Sequence, residues 1–175
     1  MAHLPAPEPT PAGRAKADSA TRDRSAAPMA LDPVSRHIID QLQQDGRRSY
    51  AAIGKAVGLS EAAVRQRVQR LLDLGVMQIV AVTDPMSLGF RRQTMIGIRC
   101  SGDLQRVADL LADMEAIDYV VITAGSFDLL VEVVCEDDDQ LLEILGDVRS
   151  IPSVTTTETF VYLKLRKQTY HWGTR

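Results

Sequence analysis

Two cysteines, three histidines and a single tryptophan are few for a chain of 175 residues. Cys100 and Cys135 form no CxxC pair and His3, His37 and His171 are scattered. Neither a zinc finger nor a disulfide scaffold is expected, and no metal or cofactor. No run approaches the roughly 20 apolar residues of a membrane-spanning helix. The N-terminus lacks the basic-then-apolar pattern of a signal peptide, so a cytoplasmic protein without a membrane partner is expected. Large apolar side chains are nearly missing from residues 1–30, which hold five of the eight prolines and nine alanines. Such a segment cannot bury enough surface to offset its ordering entropy and is expected as a disordered tail. Basic residues are scarce in 101–153, where Arg106 and Arg149 face thirteen acids. A segment so anionic is repelled by a polyanion, and any contact with nucleic acid must come from elsewhere.

What is present fits that division. Residues 31–84 carry seven basic groups against six acids, and the uneven charge suggests two domains with separate tasks. Asp32 followed by Pro33 is an N-cap and first-turn pair, and Val34, Ile38, Ile39 and Leu42 recur at the helical period until Gly46. A second helix starts at Ser49, buries Ala52, Ile53, Ala56 and Val57, and stops at Gly58. A third opens at Ser60, keeps Val64, Val68 and Leu71 on one stripe, and closes at Gly75. The tight Gly58-Leu59-Ser60 junction makes the last two a helix-turn-helix. The run Val76–Val82 has the composition of a strand and predicts a wing.

Opposite the apolar stripe, the third helix presents Ala62, Gln66, Gln69 and Asp73, flanked by Arg65 and Arg70. Small Ala62 and Ala63 allow the helix N-terminus to approach bases, Gln66 suits an adenine edge, and Arg65 and Arg70 suit phosphate or guanine. Arg67 borders the buried stripe, where an intramolecular or phosphate contact is expected. With the N-cap residues Ser49 and Ser60 these form the candidate DNA-binding set. The alternative is that the polar stripe is only the solvated side of an amphipathic helix.

After a hinge at 85–92 the pattern changes. Gln93–Cys100, Tyr119–Ala124, Phe127–Cys135 and Val154 to about Lys167 read as strands, the middle two joined by a two-residue Gly125-Ser126 turn. Asp103–Met114 and Asp137–Val148 read as helices with one apolar face each. The order β-α-β-β-α-β predicts a ferredoxin-like sandwich over residues 93–167 with an antiparallel sheet. The whole chain is then α+β, a winged helix-turn-helix over 31–84 followed by that sandwich. One sheet face lacks cover within the chain although it carries apolar residues, and a second copy is the economical cover. Residues 168–175 are expected as a loosely held terminus. Cys100 and Cys135 are expected to be inert.

In combination, Leu31-Asp32 with Ile38-Ile39 and Leu42, then Leu59-Ser60, Val64, Arg67-Val68, Leu71 and Gly75-Val76, then Thr123-Ala124-Gly125-Ser126-Phe127-Asp128, resemble the Lrp/AsnC (feast/famine) transcriptional regulators of bacteria and archaea. The resemblance covers Leu31 to about Lys167; Leu72, Ala124 and Ser126 depart from the usual pattern. It implies a DNA-binding front domain and a rear domain that dimerises, often assembles to octamers, and binds an amino acid between subunits, with no catalysis. The turn matching Thr123, Gly125, Ser126, Phe127 and Asp128 would contribute to that effector site. Asp128 can accept hydrogen bonds from an ammonium, while the N–H groups of Gly125 and Ser126 and the hydroxyls of Thr155, Thr156 and Thr157 can donate to a carboxylate. The alternative is that Gly125 supplies a positive φ, Asp128 closes the turn, and the threonines are ordinary strand residues. The expected partners are palindromic duplex DNA, an amino-acid effector and further copies of the chain. A siroheme-decarboxylase-like enzyme shares the two-domain architecture; the lack of any histidine in residues 93–167 argues against it.

Overall fold

The computed structural model of the chain describes residues 31–170 and 172–174, so the expected 1–30 tail lies outside the described residues. Two units separate by their internal contacts: Met1–Val80 with Thr169–Arg175, and Ala81–Gln168.

In the first unit, α1 spans Pro33–Gln44, α2 Tyr50–Val57 and α3 Glu61–Asp73. Each begins on a side-chain cap that satisfies an otherwise orphaned N–H: Asp32 accepts from Ser35, Ser49 from Ala52 and Ser60 from Ala63. α1 stops because Asp45 turns extended, one residue before the expected Gly46. α2 stops at Gly58, left-handed at φ 72°, where a side chain would be strained. Gly54, one turn earlier, also matters: a Cβ there would lie 2.5 Å from the Leu59 carbonyl oxygen, so the helix-turn-helix junction closes only over a glycine. Ile38, Leu42, Ile53, Val64 and Val68 form the core that the three amphipathic stripes bury together.

The expected wing strand is not found. Residues 76–84 contain no strand, and Ile79, Val80 and Val82 stand 47%, 68% and 58% exposed. Composition favoured a strand, but a strand needs a partner for its N–H and C=O groups, and no described segment pairs with this one. The terminus at 168–175 was expected to be loose. Instead, the Gly173 N–H donates to Gln43 Oε1 at 3.2 Å and the Thr174 hydroxyl donates to the Asp40 carboxylate at 3.0 Å, both on α1.

The second unit follows the order β1 (Arg92–Cys100), α4 (Leu104–Ala112), β2 (Ile117–Ile122), β3 (Leu129–Cys135), α5 (Asp138–Ser150), β4 (Val154–Val161). A short 3-10 turn at Pro85–Leu88 precedes it. The strands lie in the order β2-β3-β1-β4, every neighbouring pair antiparallel, as the βαββαβ pattern requires. Ile96 and Ile98 of β1 and Leu129, Val131 and Val133 of β3 point to one face and are covered by Val107 and Leu111 of α4 and Ile144 and Val148 of α5. The opposite face carries Met95, Gly97 and Arg99 of β1, Leu130, Glu132 and Val134 of β3, and Thr156, Glu158 and Phe160 of β4.

Two boundaries differ from expectation. β4 ends at Val161 rather than near Lys167: the Tyr162 N–H still donates to the Gln93 carbonyl, but β1 begins at Arg92, so the residues beyond about 163 have no strand to pair with. The β2–β3 connection is six residues, Thr123–Asp128, rather than two. It is closed by the Thr123 N–H on the Asp128 carbonyl, and Gly125 is not among the glycines with positive φ.

Candidate DNA-reading helix and effector turn

The local hydrogen bonds of α3 sort its polar residues. Arg65 pairs with Glu61 at 2.8 Å and lies over the Tyr50 ring of α2, 5.2 Å from its centroid. Gln69 donates to Asp73 at 2.8 Å. Arg67 reaches across to α1, donating to Asp32 Oδ2 at 2.8 Å and to the Ser35 hydroxyl at 3.2 Å, so it joins two helices, in keeping with its place at the edge of the stripe. The Ser35 N–H and hydroxyl, followed by Arg67, hold the Asp32 carboxyl at about 2, well below its usual 3.8. Ser49 and Ser60 use their hydroxyl oxygens as helix caps. Gln66 and Arg70 remain, both exposed and one helical turn apart, with no side-chain partner among the described residues. They border a cavity of about 440 Å3 shared with Leu31, Asp32, Ser35, Arg67, Leu71 and Leu74. Ala62 is exposed and Ala63 half-buried at the start of the helix, leaving its N-terminal turn sterically open.

The turn at 123–128 is held from below. Gly97 has no side chain because the Phe127 ring occupies that space: a Cβ would fall 2.7 Å from ring carbons. Phe160 meets Phe127 edge-on, with centroids 6.0 Å apart and planes at 77°, and the Arg99 guanidinium lies over the Phe127 ring at 5.8 Å. Asp128 Oδ2 accepts the Cys100 N–H at 2.8 Å, and the Asp128 N–H donates to the Ile98 carbonyl. This bond serves the irregularity between Arg99 and Cys100, where the β1–β4 register shifts. The Asp128 carboxylate is thus engaged in closing the turn. The Thr123 hydroxyl donates to the Phe127 carbonyl. The N–H groups of Gly125 and Ser126 are exposed and donate to no protein group among the described residues.

Strand alternation divides the three threonines. Thr155 donates to the Arg99 carbonyl, Thr156 faces outward opposite Arg99, and Thr157 accepts from Arg149 on the helix side. Only Thr156 shares the outer face with Phe127. Reading the sequence singled out the turn but passed over Gly97, Arg99 and Glu158; the alternation of β1 and β4 would have placed all three on one face had the strand register been known. Elsewhere on that face Glu132 accepts from Gln93 at 2.9 Å, and burial, then the nearby Glu132, push the Tyr162 hydroxyl up to about 12. Burial raises both the Cys100 and the Cys135 thiols, which disfavours the reactive thiolate. The described residues contain no cluster of three or more potential metal ligands and no helix long and apolar enough to cross a membrane.

Comparison with known proteins places these features in context. Residues 31–72 match the AsnC-type helix-turn-helix domain, and residues 90–175 match a C-terminal dimeric alpha+beta barrel domain. The HTH-type transcriptional regulator FL11 of Pyrococcus abyssi is 33% identical over 81% of this chain and 95% of its own length. The crystal structure of the Mycobacterium tuberculosis leucine response regulatory protein superposes with a TM-score of 0.72 at 25% identity, covering 79% of this chain and 96% of that one. A Neisseria meningitidis transcriptional regulator solved in complex with L-methionine superposes at 0.70 with 22% identity, covering 81% and 96%.

Proposed function

This chain belongs to the AsnC/Lrp family of HTH-type transcriptional regulators, and on that premise we propose that paired copies read a palindromic operator through α3 while an amino acid bound beside the 123–128 turn adjusts that binding. One observation carries the DNA half. Of the polar residues on α3, Gln66 and Arg70 are the two whose side chains are exposed and uncommitted, as groups that must reach base edges need to be. Arg65, Gln69 and Arg67 have partners within the chain and position the helix or neutralise phosphate. The serines Ser49 and Ser60 present helix N-termini, whose N–H groups suit phosphates.

The effector half is supported by the exposed N–H groups of Gly125 and Ser126, by Thr156 nearby, and by the methionine bound in the Neisseria regulator. Dimers give the two recognition helices a shared operator, and effector-linked assembly, up to octamers, changes how those helices are spaced.

Fluorescence anisotropy on the DNA upstream of the protein's own gene, with an unrelated duplex as control, tests the reading. Replacing Gln66 and Arg70 by Ala should cost about 1–3 kcal/mol per base contact and narrow the gap between operator and control. Unchanged operator affinity in the double variant would refute the assigned face.

A further inference from the structure

The chain passes between the two units twice. It leaves the helix-turn-helix unit after Val80 and returns to it at Thr169, so residues 169–175 belong with α1, α2 and α3 although they follow the second unit in sequence. Within the second unit the two passages lie together: Val82–Met86 of the incoming segment and Tyr162–Leu165 with Gln168 of the outgoing one line a single cavity of about 400 Å3. Within the first unit the returning segment is fastened to one face of α1. Asp40 and Gln43 stand three residues apart and so share a side of that helix. The Thr174 hydroxyl meets the two Asp40 carboxylate oxygens at 3.0 and 3.2 Å, and the Gly173 N–H donates to Gln43 Oε1 at 3.2 Å. Gly173 takes φ 71°, a left-handed conformation that a residue with a Cβ adopts only under strain, and there two successive residues turn their polar groups to α1. Trp172, the single tryptophan of the chain, stands beside them and is 78% exposed. The polar face of α3 takes no part in these bonds.

We propose that residues 169–175 form a strap, with Thr174, Asp40 and Gln43 as positioning residues, that limits how far the helix-turn-helix can swivel and so fixes the half-site spacing the protein accepts. The inference rests on the reading above, in which paired copies bind a palindromic operator, and adds what holds α3 at the required separation. A domain on one flexible connection turns freely about it, and each copy must lose that freedom when the second half-site is bound. A second connection that runs beside the first and is anchored on a helix removes the rotation before DNA is met. The freedom is then lost during folding rather than on binding. Effective concentration at the second half-site rises for the spacing that suits the strapped arrangement and falls for the others.

The test uses the full-length protein, with Trp172 as a probe that needs no label. Time-resolved anisotropy of its fluorescence should decay mainly with the tumbling of the whole assembly in the wild type. In Thr174→Val and in Asp40→Ala it should gain a dominant nanosecond component, the timescale of a loose terminus. Asp40→Asn, which keeps an oxygen acceptor, should stay close to the wild type. The DNA probes are the duplex upstream of the protein's own gene, a single half-site from it, and duplexes with the half-sites moved apart by about five and about ten base pairs, half a helical turn and a whole one. The wild type should prefer the native spacing to the half-turn shift. In Thr174→Val and Asp40→Ala that preference should shrink ~10-fold, a part of the ~10²–10⁴-fold that linking two sites supplies, with half-site affinity and light-scattering mass unchanged. If Trp172 is held equally in the wild type and all variants, these bonds do not fasten the segment and the proposal is overturned. If Trp172 is freed while the spacing preference is unchanged, the segment docks without positioning the helices, which overturns it as well. If the wild type binds every spacing no better than a single half-site, the palindromic reading itself fails and the positioning role with it, while Trp172 still reports whether the segment is fastened.

Discussion

Single residues in this protein do work that their type alone does not announce. Asp32 caps α1, and it also receives Arg67 from α3, so one carboxylate ties the first helix to the third. Its folded-state value of about 2 lies below the usual 3.8, which means the ionised form is favoured by folding. Its contribution is therefore complete above about pH 4 and is lost as pH falls toward 2. Thermal melting of the full chain should show an acid-side decline over that window, and Asp32→Asn, which still caps the helix but carries no charge, should flatten it. A decline of equal steepness in the variant would assign the acid sensitivity to other carboxylates. Arg65 and Gln69 share the outward face of α3 with Gln66 and Arg70, but their i,i+4 partners Glu61 and Asp73 distinguish them from the two residues without a partner among the described ones.

At the scale of elements, caps and stop signals were the legible part. Asp32, Ser49 and Ser60 each begin a helix where the sequence places one, because a side-chain oxygen followed by an apolar stripe has one economical use. Gly54 was not legible: in sequence it is one more residue of a short helix, and only the approach of the Leu59 carbonyl to 2.5 Å of its missing Cβ reveals the constraint. Gly54→Ala should force α2 and α3 apart, at about 1–3 kcal/mol for an overpacked site, with loss of operator binding. Calorimetry should show the penalty in the transition of the first unit while light scattering reports unchanged assembly; an unshifted transition would mean that the junction yields freely. The missing wing and the short β4 share one cause. Residues 76–84 and 163–167 were expected as strand, but a ladder exists only where a partner strand supplies the other half of each hydrogen bond.

For the whole molecule, charge and apolar surface divide between the two units. The segment 101–153, with thirteen acids against two basic groups, is unsuited to a polyanion, which leaves DNA to the helix-turn-helix. The matched C-terminal domain is dimeric, and the outer sheet face, with Met95, Leu130, Val134 and Phe160, is the surface we propose a second copy covers. Leu130→Asp should therefore lower the mass seen in light scattering. Operator affinity should fall ~10²–10⁴-fold with it, because the second half-site would then be bound without the benefit of effective concentration. A variant that remains dimeric would place the contact between copies on another surface.

Periodicity, capping residues and the distribution of charge were enough to determine the helix-turn-helix, the βαββαβ order and the two-part organisation, and to nominate α3 as the proposed DNA-reading helix. These are local properties, readable within a few residues of chain. Which side chains remain uncommitted was decided by tertiary structure. Arg67 finds Asp32 thirty-five residues away, Asp128 finds the N–H of Cys100, Gly97 and Arg99 meet the Phe127 ring from the far end of another strand, and Glu158 comes opposite Gly97 because β1 and β4 pair in one register. Binding groups are those left over after the chain has satisfied itself, and that remainder depends on contacts between segments far apart in sequence.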